Sequence, residues 1–103
     1  MGDRVPVPVD VLDRDGRALV RVGGRAIAVF RVGEAVYAVE NECPHERNPL
    51  IDGDIVGETL VCAYHQWRFD LATGACLFGD VPARSYRVEV REGAAWIELD
   101  SDA

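Results

Sequence analysis

"RAIAVFRV", residues 25–32, sets five apolar residues, Ala26 to Phe30, between two arginines and closes with a valine. The apolar run is far shorter than the roughly 20 residues that a membrane-spanning helix requires. With "RALVRV" (17–22) and "EAVYAVE" (34–40) it carries the alternation of half-buried β-strands, and the pattern returns in "YRVEVRE" (86–92) and "AAWIEL" (94–99). Gly23-Gly24, Gly33-Glu34 and Glu92-Gly93 fall between these runs, where hairpin turns need residues that tolerate positive φ. No stretch reads as a helix of convincing length. The expected fold is all-β and antiparallel, with Tyr37, Val39, Val88, Val90, Trp96 and Ile97 in its core.

Residues 43–80 break the pattern. They hold more Gly, Pro, Asp and aromatic residues, with short candidate strands only at "TLVC" and "HQWRFD". This segment reads as an insertion between strands of the flanking sheet. The whole chain, residues 1–103, is expected to form a single domain, because 103 residues bury one modest core and leave no room for a second cofactor domain.

The balance of 18 acidic against 11 basic residues gives a formal charge of −7. That argues against a nucleic-acid groove and for a partner with a basic docking patch. The N-terminal "MGDRVPVPVD" lacks the charged-then-apolar layout of a signal peptide, so a cytoplasmic protein with no membrane anchor is expected. In that compartment three cysteines suggest metal binding or catalysis before a disulfide framework.

The chemistry concentrates in the insertion. "CPHERNPL" (43–50) offers Cys43 and His45 in a turn-rich loop; alone, it reads equally as a buried thiol and a surface ring. "CAYHQWRFD" (62–70) supplies a second such pair, Cys62 and His65. Sixteen residues, 46–61, separate the pairs, enough for a loop and a strand that fold the second beside the first. The chain has two histidines, and both lie in these pairs.

The pattern C-x-H, about sixteen residues, C-x-x-H resembles that of the Rieske iron-sulfur proteins. Leu50, Trp67, Phe69 and the Thr73-Gly74 turn extend the match, and the flanking strands carry it over most of the chain. The resemblance implies a Rieske-type antiparallel β-sandwich in which residues 43–80, approximately, form a small cluster-binding subdomain. It implies one [2Fe-2S] cluster per chain, with Cys43 and Cys62 on one iron and His45 and His65 on the other through Nδ1. Replacing two thiolates by neutral imidazoles favours the added electron and raises the potential above that of an all-cysteine ferredoxin. The alternative is zinc, which two cysteines and two histidines can hold tetrahedrally. Zinc modules usually pair like with like, whereas each loop here is mixed. Cys76 is left over, as a small buried side chain or a reactive thiol, and Pro82 lies where the family covers its cluster with a loop.

Respiratory and photosynthetic members carry an extra cysteine in each loop, joined as a disulfide; Asn48 and Tyr64 occupy those positions, so that brace cannot form. Their serine and tyrosine hydroxyls, which bond to the cluster, are replaced by Trp67 and Phe69. The expected potential therefore lies toward the low end of the roughly −150 to +300 mV Rieske range. A mononuclear oxygenase iron would need further histidines that the chain does not have, and no G-x-G-x-x-G turn offers a nucleotide site. The chain is therefore expected to be an electron carrier and not an enzyme. Two roles fit: a ferredoxin between a flavin-dependent reductase and an oxygenase, or a small subunit of an NADH-dependent nitrite reductase.

Overall fold

The computed structural model describes residues 4–22, 24–42, 49–63, 67–75 and 84–99. Its elements, in chain order, are β1 (Arg4–Pro8), α1 (Val9–Asp15), β2 (Arg17–Val22), β3 (Arg25–Val32), β4 (Ala35–Glu40), a 3-10 turn (Leu50–Asp52), β5 (Asp54–Val56), β6 (Thr59–Val61), β7 (Arg68–Asp70), β8 (Ser85–Tyr86), β9 (Val88–Arg91) and β10 (Ala94–Glu98). Every strand pairing is antiparallel. Three sheets result, ordered β2-β3-β4-β8, β1-β10-β9 and β5-β6-β7.

The four-stranded sheet lies at the centre, and the apolar run of β3 shows why. Ile27, Val29, Val36 and Ala38 pack on one face with Val7, Leu12, Ala95 and Ile97. Ala28, Phe30 and Val39 pack on the other with Leu50, Leu60, Cys62, Phe69 and Leu71. Because successive strand side chains point to opposite faces, a strand covered on both sides must be apolar at every position. Thus "AIAVF" is not half-buried: residues 27 to 30 are all fully buried. The small sheet β5-β6-β7 falls in sequence between β4 and β8, which pair directly through Ala38 opposite Tyr86 and Val39 opposite Ser85. The chain leaves the central sheet, builds the small one, and returns beside the strand it left.

Three further expectations change. A helix does form, α1; it buries one residue, Leu12, so its seven residues show no readable helical period. Gly16 ends it in the left-handed conformation, donating its N–H to Leu12 O at 2.8 Å. Val90, expected in the core, is 51% exposed. It faces the core side opposite Ala95, but on the outermost strand of its sheet. β1 carries two prolines and went unread as a strand; it is an edge strand, where a missing N–H is tolerated. The β9–β10 hairpin turns through Glu92 at φ 56° and Gly93 at φ 82°, the paired positive φ of a two-residue hairpin.

Tyr86 ties the returning strand back: its hydroxyl donates to Glu40 Oε1 at 2.6 Å, while Glu40 N–H donates to Arg84 O. Burial first, then this bond to Glu40, raises the Tyr86 pKa above its ordinary value. A tyrosine whose pKa is raised by folding contributes stability below its unfolded pKa of about 10, and that contribution is lost as pH rises through the folded value. Tyr86→Phe should therefore flatten the loss of stability above about pH 10. Denaturant unfolding at neutral and alkaline pH measures it, and an equally steep alkaline loss in the variant would exclude Tyr86 as its source. Among the described residues, no helix is long and apolar enough to cross a membrane.

Candidate metal centre

The loop with the first ligand pair leaves the central sheet just after β4, and its two sides are bonded to each other. Asn41 donates its N–H to Ala26 O at 2.8 Å, continuing the β3–β4 pairing, and its side-chain Oδ1 accepts the Ile51 N–H at 2.7 Å. One asparagine thus closes the chain around the interval that contains Cys43 and His45. On the return side Leu50 is fully buried. Arg17, at the start of β2, donates Nη1 to Ile51 O at 2.7 Å and to Gly53 O at 2.8 Å.

The second loop joins β6 to β7. Val61 opposite Arg68 is the last strand pair, and Cys62 N–H donates to Trp67 O at 2.8 Å, closing the connection that contains His65. Cys62 is a free cysteine, fully buried, in one apolar cluster with Leu50, Leu60, Phe69 and Leu71. The return of the first loop and the start of the second therefore share a core. A second tie comes from the far end of the small sheet: Tyr37 OH donates to Glu58 Oε2 at 2.9 Å, and Leu71 N–H to Glu58 O. The Glu58 bond, reinforced by burial and by the Glu58 charge, raises the Tyr37 pKa.

Of the four expected ligands, Cys62 is placed. Cys43, His45 and His65 lie outside the described residues, as do Asn48, Tyr64, Cys76 and Pro82. Among the described residues no three His, Cys, Asp or Glu side chains gather into a metal site. Phe69 is fully buried and the Trp67 ring lies 6.5 Å from it, tilted by 41°. The position expected to lack a hydroxyl is thus a buried one, in the same cluster as the Cys62 thiol. A [2Fe-2S] group fits what is placed: a thiol held at the base of a closed loop with apolar side chains behind it, and a donor set of two cysteines and two histidines in the sequence. Sequence reading missed Arg17, Asn41 and Gly53 and took Tyr37 for a core residue only; their parts depend on contacts between separate elements of the chain. None of them carries a motif signal of its own.

The Rieske [2Fe-2S] domain profile matches residues 5–90. The ferredoxin CarAc of Metapseudomonas resinovorans is 36% identical over 83 residues, covering 79% of this chain and 78% of that protein. The 4beta-methylsterol monooxygenase of Methylococcus capsulatus is also 36% identical, over 106 residues and 84% of this chain; the chain spans 28% of that protein's length. Among solved structures, a chain in the complex of reduced oxygenase and oxidized ferredoxin in carbazole 1,9a-dioxygenase superposes with a TM-score of 0.86 at 29% identity, covering 97% of this chain and 96% of that one. A structure described as a nitrite reductase NADPH small subunit superposes with a TM-score of 0.78 at 25% identity, covering 92% of this chain and 97% of that one.

Proposed function

This chain belongs to the Rieske [2Fe-2S] domain family, and from that premise we propose that it is a cytoplasmic ferredoxin passing single electrons from a flavin-dependent reductase to an oxygenase. When bound, the cluster supplies a one-electron site at which no substrate bond is made or broken. Cys43 and Cys62 would hold one iron, and His45 and His65 would hold the other and offer electrons their exit. The observation that carries the reading is Cys62, fully buried at the base of the closed β6–β7 connection and in one apolar cluster with Leu50 from the return of the first loop. Apolar side chains behind the thiol keep water from that side, and the Cys62–Trp67 and Asn41–Ile51 bonds hold the two loops at their bases. The formal charge of −7 suits a reductase with a basic contact face, since opposite charge steers encounter.

The likeness to CarAc, over most of both chains, supports the carrier. A second reading, the small subunit of an NADH-dependent nitrite reductase, is favoured by the structural likeness to such a subunit. Stable co-purification with a sirohaem reductase would decide for it.

The electron paramagnetic resonance spectrum of the anaerobically purified, dithionite-reduced protein tests the cluster. The expected result is a rhombic signal with the low average g-value of a histidine-ligated [2Fe-2S] centre. A silent sample that contains zinc and neither iron nor sulfide after reconstitution would make this a structural metal module.

A further inference from the structure

We infer that Arg17 and Gly53 are positioning residues for the cluster, together setting where the return of the first loop stands against Cys62. The inference rests on the cluster reading above and adds to it two residues outside the ligand motifs.

Arg17 stands opposite Phe30 in the β2–β3 pairing, and its guanidinium lies 5.1 Å from the centre of that ring. Phe30 belongs to the face of the central sheet that packs on the small sheet. The arginine thus reaches from β2 across that face, and its Nη1 takes two main-chain carbonyls, Ile51 O and Gly53 O, on either side of Asp52. A planar, always-charged guanidinium lying over an aromatic ring is held in orientation, so the one nitrogen that takes both carbonyls is fixed more rigidly than a flexible ammonium would be. Held this way, the 3-10 turn Leu50–Asp52 cannot slide along the sheet without breaking a charge-assisted bond.

Gly53 sets the other coordinate. Its φ of −74° suits any residue, so backbone freedom is not why glycine stands here. A Cβ at this position would lie 2.5 Å from Val61 O and 2.9 Å from Leu60 Cδ1. Val61 directly precedes Cys62. The absent side chain lets the turn close against the backbone that carries the thiol, and any Cβ would have to push that backbone away. Arg17 pulls the turn onto the sheet and Gly53 lets it meet β6; the spacing between the turn and Cys62 follows from both.

The test uses the reconstituted protein and three variants: Arg17→Met, Arg17→Lys and, as a control, Arg31→Met. Arg31 bonds Gly33 O at 3.0 Å and Asp13 at 2.7 Å, so it is also a cross-linking arginine on the central sheet, with partners outside the cluster subdomain. Cluster release to a chelator should be faster by at least about tenfold in Arg17→Met, the lower range for losing a partner that orients ligands. The g-values should broaden or shift, Arg17→Lys should recover part of both, and Arg31→Met should lower the melting temperature of the apo-protein without changing either. Should Arg17→Met fail to fold, Arg17→Lys decides by the same two readouts. Release rates and g-values equal to wild type in the folded Arg17 variants would overturn the inference and leave the cluster reading intact. A wild-type protein without a histidine-type signal would overturn both.

Discussion

His65→Ala should purify without iron or sulfide, with no cluster absorbance and no paramagnetic signal after reduction. The reason is ligand counting: each iron of a [2Fe-2S] centre takes two protein ligands, and the chain has no third histidine to replace the one removed. His45→Ala should behave alike, since the two imidazoles would share an iron. The sheets should survive the loss, because the side chains that join the small sheet to the central one, Phe30, Leu50, Leu60 and Phe69, are all fully buried and apolar. Circular dichroism of the apo-variant checks that the effect is on the centre and not on folding. A normal spectrum in His65→Ala would remove this residue from the ligand set.

How much of this was legible depended on the range of the signal. β2, β3, β4, β9 and β10 announce themselves because alternation and turn glycines act over a few neighbouring residues. β6 and β7 were visible for the same reason at "TLVC" and "HQWRFD", and the ligand spacing carried the family. The depth of β3 was legible but read as alternation: Ala26 to Phe30 are apolar at every position, the mark of a strand covered on both faces and not of a half-buried one. α1 was missed because one buried leucine has no period, and β1 because its prolines argue against any strand but an edge. The braces lay furthest from reach. Arg17 and Gly53 are 36 positions apart, and neither has a local reason to be noticed. Only the fold brings the arginine to the turn and shows that the glycine is there for its missing Cβ.

Phe69→Tyr should raise the midpoint potential on the order of 40 mV. By the sequence resemblance the residue is expected where high-potential Rieske proteins have a hydroxyl, and the structure puts its ring in the cluster of side chains that contains Cys62. Reduction adds negative charge, so a donor to sulfur stabilises the reduced state more than the oxidised one. A net hydrogen bond of about 1 kcal/mol favouring one redox state is about fivefold, and since tenfold is about 59 mV for one electron, that is roughly 40 mV. The apolar surroundings sharpen the expectation, because a hydroxyl among Leu50, Leu60 and Leu71 with no partner would cost stability. The tyrosine should therefore either reach sulfur and shift the potential, or stay unpaired and destabilise the fold. Phe69→Leu separates the hydroxyl from the packing: it loosens the same core, yet should leave the midpoint near that of wild type. Equal potentials in Phe69→Tyr and wild type, both with intact clusters, would mean that the missing hydroxyl does not set the potential of this centre. A rise in Phe69→Leu to match Phe69→Tyr would assign the shift to packing.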